Sequence, residues 1–347
     1  MAKQIVLLTG ISGFIGLHIA KQLLDQGFHV RGSIRSLKKA ENIKNTLEKA
    51  SADVSELSFI ELDLTSDKGW DNAAKGCDYV MHVASPYAAA EPKHEDDMIK
   101  PAVDGSLRAL RAAKKAGVKR VVLTSSTMTM MATMKSGTFG PDDWADTRSK
   151  DIGTYAKSKT LAEQAAWQFM EKQHSTMELV TVNPGAVFGP VLGDDITGQS
   201  MTMIDQMLRG KIPMIADVTM PMVDVRDVAN IHVQAMTTAN ASGQRIIASH
   251  SEATRLAEIP KILKEHGYKG PSSRIAPNLL LRFMSLFDNE AKGMVGLLGM
   301  NVRADNSQAL ELFDWTPRPF SETVLDSAKA IKKFRKTHNP LVVLGTR

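Results

Sequence analysis

The chain has 347 residues, 43% hydrophobic and 23% charged, and its formal net charge of +5 is spread over small clusters such as Lys38-Lys39, Lys114-Lys115 and Lys332-Lys333. That length suits two domains or one large α/β domain with a cap, and the single cysteine, Cys77, excludes an intrachain disulfide. Scattered charge, 5% aromatic content and the lack of a membrane-length apolar stretch argue against nucleic-acid or membrane partners.

Met1-Ala2-Lys3-Gln4 runs straight into a strand pattern, with no secretory leader, so a cytoplasmic location is expected. Residues 5–8 read as a buried first strand. Residues 14–26 read as a helix with Ile15, Ile19, Leu23 and Leu24 on one face, stopped by Gly27. Strands follow at 29–34, 57–62, 79–84 and 120–124, the last preceded by a helix at 101–116 that Gly117 ends. Cys77 opens the apolar run into the fourth strand and reads as a buried, unreactive thiol. Asp96-Asp97 and Asp142-Asp143 read as helix starts or solvated loops. A long helix covers 154–173, and a sixth strand at 179–182 is closed by Asn183-Pro184-Gly185. Beyond it, helices are predicted at 201–208, 228–236, 256–266, 278–287, 306–312 and 320–334, with short strands at 221–225 and 245–248. The tail after Asn339 is apolar and short.

Six buried strands joined by helical crossovers predict the α/β class: a doubly wound, Rossmann-type parallel sheet with a smaller, interleaved C-terminal cap. The dinucleotide-binding domain is expected at 1–183 plus roughly 221–250, and a substrate-binding cap at roughly 184–220 and 251–347.

Thr9-Gly10-Ile11-Ser12-Gly13-Phe14-Ile15-Gly16 sits between the first strand and the first helix. Glycines there let backbone amides approach phosphate oxygens, and the helix aims its N-terminal amides and dipole at a pyrophosphate. The spacing is GxxGxxG, and its strand–turn–helix setting favours binding over a plain tight turn. No acidic residue ends the second strand to accept an adenosine 2′-hydroxyl; the segment instead reads Ile34-Arg35-Ser36-Leu37-Lys38-Lys39. A guanidinium matches a 2′-phosphate, so NADP is expected, with Arg35 the main contact and Lys39 or Lys38 helping; the alternative is a solvated basic turn. Asp63, beside Leu64, either accepts from an adenine amino group or caps its own turn. Val83-Ala84-Ser85 would line the nicotinamide side of the cleft with small groups.

Tyr155 and Lys159, four apart on a helix, share a face. A neighbouring ammonium favours the phenolate, so Tyr155 could protonate a carbonyl oxygen as hydride arrives, while Lys159 also holds ribose hydroxyls. The fifth strand runs into Thr124-Ser125-Ser126-Thr127, at the carboxyl edge where such sheets place ligands. Ser126 is the preferred hydroxyl for the substrate oxygen, with Ser125 the second choice. The nine histidines show no metal-ligand spacing, and no metal is expected.

The chain resembles the extended short-chain dehydrogenase/reductases, and within them the dihydroflavonol 4-reductase and aldehyde/ketone reductase branch. The resemblance runs over residues 5–334 and rests on TGISGFIG (9–16), VRGSIRS (30–36), HVASP (82–86), VVLTSS (121–126), TYAKSKTLAEQAAW (154–167), VNPGAVFGP (182–190), MVDVRDVANIH (222–232) and WTPRPFSETV (315–324). It implies a catalytic set of Ser126, Tyr155 and Lys159. It implies NADP contacts at Thr9, Gly10, Gly13, Phe14, Ile15, Gly16, Arg35, Lys39, Asp63, Leu64, Val83, Ala84, Ser85, Tyr155, Lys159, Pro184, Gly185, Ala186 and Val187. Two departures stand out. Asp104 replaces an Asn that many members carry in the helix before the fifth strand, where it serves a proton relay or helix geometry. Thr127 to Ala132 replaces the Tyr-Gly that follows the serine in sugar-nucleotide epimerases, and its methionines either line a substrate pocket or fill core.

The expected activity is NADPH-dependent reduction of an aromatic or otherwise apolar aldehyde or ketone, by a monomer or homodimer. The alternatives are a sugar-nucleotide epimerase or dehydratase, a hydroxysteroid dehydrogenase, or a non-catalytic NADP-sensing regulator. An epimerase would show no net NADPH consumption, and a regulator would bind NADPH without turnover.

Overall fold

The structure is a computed structural model that describes residues 3–86, 92–173, 176–193, 198–287 and 294–338. The apolar tail after Asn339 lies outside the described residues. Seven parallel strands form the central sheet: β1 (Ile5–Thr9), β2 (His29–Ile34), β3 (Leu57–Glu61), β4 (Tyr79–His82), β5 (Arg120–Thr124), β6 (Glu178–Pro184) and β7 (Arg245–Ala248). Their spatial order is β7-β6-β5-β4-β1-β2-β3, so the winding reverses between β1 and β4 and opens a crevice at their carboxyl ends. The predicted doubly wound α/β sheet is present, with 245–248 added as its outermost strand.

Apolar periodicity builds the covering helices. In α1 (Phe14–Asp25), Leu17, Ile19, Ala20, Leu23 and Leu24 are buried, and Gly27 follows with φ +81°. Helices α2 (Ala40–Lys49) and α3 (Trp70–Ala74) bury Ile43, Leu47, Trp70 and Ala73. Helix α4 (Asp96–Lys115) starts five residues before the expected 101, with Asp96 and Asp97 in its first turn and Pro101 inside it. The acidic pair is thus a helix start, stabilised by the positive end of the helix dipole. Helix α5 (Met128–Met131) is one turn. It leads to α6 (Thr154–Gln173), whose buried Ala156, Ala162 and Ala166 let it pack closely on α4.

The fourth strand ends at His82, two residues short of expectation. The amides of Val83 and Ala84 leave the ladder and both donate to Thr9 Oγ1, at 3.1 Å each. Since Thr9 Oγ1 accepts twice, its own proton goes to His82 Nδ1, 2.9 Å away, which leaves the ring proton on Nε2.

The later chain adds α7 (Gln199–Leu208), α8 (Val225–Thr237), α9 (Glu258–Glu265), α10 (Asn278–Met284), α11 (Ser307–Phe313) and α12 (Phe320–His338). Asp224 caps α8 by accepting from the Arg226 amide at 2.8 Å. Residues of α7, α9 and α12 share a second core through Met201, Ile204, Ile259, Leu263, Val324 and Ile331. Ala309 and Phe313 of α11, with Trp315, join the core of the main sheet instead. Met130 and Met131 are fully buried against Phe139, Met300 and Val302. The methionine cluster there fills core rather than lining a pocket. Arg31 donates to the Ala73 and Lys75 carbonyls and to Cys77 Sγ. Cys77 is buried, and burial pushes its thiol up, away from reactivity.

Among the described residues, three histidines are buried without a charged partner at bonding distance. His18 Nε2 meets the Pro190 carbonyl at 2.8 Å. His232 donates Nδ1–H to the Val228 carbonyl at 2.7 Å and accepts from the Thr124 hydroxyl at 2.7 Å. Burial lowers His18 and His232 from 6.5 to about 4, and His82 to about 3. An unfolded chain takes up these protons near 6.5, the folded one only near 4 or 3. Between those values the unfolded state binds more protons, so stability falls as pH drops. The melting midpoint is expected to fall steeply from pH 6.5 to 4, and His232→Gln to flatten that fall. A midpoint constant across the window would contradict the neutral buried rings.

Candidate active site

The glycine turn is imposed by close approach. Gly10 has φ +72°, and a Cβ there would lie 2.9 Å from the Ala84 backbone. A Cβ on Gly16 would lie 2.2 Å from the Gly10 carbonyl oxygen. Ser12 and Gly13 are exposed at the crevice. Gly13 opens α1 with no side-chain cap, and no acidic residue stands in the first turn. The positive end of the helix dipole therefore meets no capping side chain and no first-turn carboxylate, a backbone cradle that fits a pyrophosphate. Phe14 stacks edge-on with His18, and Ile15 packs on the core.

At the end of β2, Arg35, Lys38 and Lys39 are all exposed. Nearby, Asp63 Oδ1 accepts from the Thr65 amide at 2.8 Å and hydroxyl at 2.7 Å. Those bonds hold the carboxyl below its ordinary value, with a smaller contribution from Arg35. Asp63 is thus a turn cap in this structure. The Leu64 carbonyl accepts from Arg108 at 2.8 Å, and its side chain packs against Gly105 of α4. Val83 and Ala84 are pinned to Thr9 as described, and Ser85 follows into the crevice. Pro184 ends β6 beside Ala248, and Ala186 and Val187 pair with Met222 and Val223. A Cβ on Gly185 between them would lie 2.5 Å from the Pro221 carbonyl.

At the carboxyl end of β5 the structure separates the two adjacent serines. Ser126 lies beside the Tyr155 phenol, and its Oγ accepts from the Met128 amide at 3.2 Å. Ser125 points the other way and donates to Glu163 Oε2. Burial pushes the Tyr155 phenol up, and the Ser126 hydroxyl beside it partly offsets this. Lys159 is 8% exposed and donates to the Thr124 carbonyl at 3.3 Å. Burial lowers its ammonium from 10.5 to about 8, against an opposing pull from Glu163. Ser126, Tyr155 and Lys159 therefore come together at one end of the sheet. Asp104 does not join them: its side chain is exposed on α4.

Sequence reasoning missed Glu163 and Arg245. Arg245 Nε meets Glu163 Oε1 at 2.8 Å, and their side chains are only 9% and 1% exposed. Thr181 and Asn183 donate to the same carboxylate, each at 2.9 Å. Burial alone would push Glu163 up, but the Arg245 charge and the hydrogen bonds around it hold the carboxyl below its ordinary value. The available signal was a carboxylate one helical turn beyond Lys159, on the face already marked by Tyr155.

The profile of the NAD dependent epimerase/dehydratase family matches residues 6–248. The ketoreductase azaE of Aspergillus niger is 34% identical over 334 residues, covering 88% of this chain and 95% of that protein. The dihydroflavonol 4-reductase of Arabidopsis thaliana is 32% identical over 269 residues, 76% of this chain and 69% of that protein. Among solved structures, the yeast methylglyoxal/isovaleraldehyde reductase Gre2 complexed with NADPH superposes with a TM-score of 0.79 and 28% identity, covering 96% of this chain and 99% of that one. The glycine turn, the Tyr155–Lys159 face and these matches together establish that the chain belongs to the NAD dependent epimerase/dehydratase family of extended short-chain dehydrogenase/reductases.

Proposed function

We propose that the protein is an NADPH-dependent reductase that converts an aromatic or otherwise apolar aldehyde or ketone to its alcohol. The observation that carries this reading is the Tyr155 phenol beside Ser126, with Lys159 one turn further along the same helix, at the crevice the glycine turn opens. The ketoreductase and reductase relatives, and the NADPH held by Gre2, support it.

In this reading Thr9, Gly10, Gly13, Phe14, Ile15 and Gly16 cradle the pyrophosphate. Arg35, with Lys39 or Lys38, holds the 2′-phosphate. Asp63 and Leu64 border the adenine, and Val83, Ala84, Ser85, Pro184, Gly185, Ala186 and Val187 border the nicotinamide. When bound there, reduced NADP supplies the hydride that the carbonyl carbon receives. Tyr155 gives its phenol proton to the carbonyl oxygen. Ser126 donates a hydrogen bond to that oxygen and offsets its growing charge. Lys159 lowers the cost of the resulting phenolate by its own positive charge.

The proposed dinucleotide-binding domain spans 1–183 and roughly 221–250, and the proposed cap roughly 184–220 and 251–347. Ala309, Phe313 and Trp315 sit in the main sheet's core, so the cap chain returns to the body there. Among the described residues no helix is long and apolar enough to cross a membrane. A cytoplasmic monomer or homodimer is the proposed state.

Tyr155→Phe is expected to slow carbonyl reduction by about 10²–10⁴-fold while NADPH still binds, read by quenching of protein fluorescence. Near-normal turnover would remove Tyr155 from the chemistry. Arg35→Ala is expected to weaken NADPH by about tenfold or more and NADH little, since a lost charge-assisted pair costs about 1.5–3 kcal/mol. Equal loss for both dinucleotides, measured by titration, would assign the 2′-phosphate elsewhere.

A further inference from the structure

We propose that Glu163 is a positioning residue for proton transfer, its buried carboxylate keeping charged the Lys159 ammonium that supports Tyr155. This rests on the reductase reading above and adds to it a residue outside the Ser126, Tyr155 and Lys159 set.

Three observations carry it. The first is shared space. Lys159 and Glu163 both line a small polar cavity with Ser85, Ser106, Thr124 and Ser125, with room for about one water molecule. The second is orientation. Ser125, Thr181, Asn183 and Arg245 reach the two Glu163 oxygens from β5, β6 and β7, so the carboxylate cannot turn away from that cavity. The third is charge. Among the described residues, Glu163 is the charged group whose pull on Lys159 is felt. His82 on β4 and His232 on α8, behind Thr124, are held neutral by burial. Tyr155 on α6 has its phenol pushed up by burial, Asp104 on α4 points to solvent, and Arg245 on β7 is paired with Glu163. Glu163 is therefore the group that opposes the desolvation of Lys159.

The consequence is directional. Raising the pH takes the proton from Lys159, at about 8, before it takes the one from Tyr155, which burial has pushed up. A neutral lysine no longer supports a phenolate, so reduction fades above that pH. Neutralising Glu163 removes the attraction that keeps the ammonium charged, and the alkaline limb moves to lower pH.

The experiment compares pH profiles of kcat for carbonyl reduction in wild type, Glu163→Gln and Glu163→Asp. The limb of Glu163→Gln is expected to lie about one unit lower, with turnover near pH 6 within a few-fold of wild type. Glu163→Asp, which keeps the charge, is expected to retain the wild-type limb. Because Glu163→Gln strands Arg245 in the core, a Glu163→Gln/Arg245→Met variant removes the whole pair; it is expected to fold and to show the same displaced limb. Three coincident limbs, with only rate or melting midpoint lowered, would overturn the proposal and leave Glu163 a structural brace. Tyr155→Phe separates the two readings: full activity there defeats the reductase mechanism, whereas an inactive Tyr155→Phe with coincident limbs defeats this inference alone.

Discussion

The seating of α6 on the sheet is the constraint on which the site depends, and the buried pair of Glu163 and Arg245 is one tie in it. Either charge alone would be costly in that interior. Together they join α6 to β7, and the hydrogen bonds of Ser125, Thr181 and Asn183 add β5 and β6 to the same knot. Arg245 extends the knot outward: it donates to the carbonyls of Pro141 and Asp143 and lies over the Trp144 ring, 3.6 Å from its centre. Small residues along α6 make the close seating possible; the charged pair selects one register of it. Tyr155 and Lys159 ride on that helix, so their height above the sheet is set from beneath.

The opposite wall of the crevice is fixed by smaller means. Thr9 collects the amides of Val83 and Ala84 and turns its proton to His82. The clip holds Ala84 against Gly10 at a distance that excludes any Cβ. One wall is thus secured by a charge pair and the other by a single hydroxyl. Both work because the groups are buried, where each hydrogen bond counts for more than in water.

Much of this was legible in the chain. Buried parallel strands are continuous apolar runs, and β1, β4 and β5 stood out for that reason. The glycine turn and the Tyr155–Lys159 spacing were visible because their chemistry is local. What escaped was polar or distant. Helix α2 has two fully committed apolar positions, Ile43 and Leu47, in an otherwise charged stretch, too few to signal a helix. The pairing of Ser136–Phe139 with Asn301–Ala304 joins short segments far apart in the chain. Ser125 and Ser126 are chemically identical in a sequence; only the backbone at the end of β5 sends one inward to Glu163 and the other to the phenol. Arg245 lies 82 positions from its partner, and no local pattern links them.

The basic turn after β2 has a consequence of its own. Arg35, Lys38 and Lys39 stand in solvent, while the strand beneath them, with Gly32, Ser33 and Ile34, is buried. If the proposed 2′-phosphate contact holds, preference between the two nicotinamide dinucleotides is written on the surface, outside the packed interior. Substitutions that rewrite it disturb few folding contacts, which leaves redox specificity free to diverge among descendants of this scaffold while the architecture is preserved.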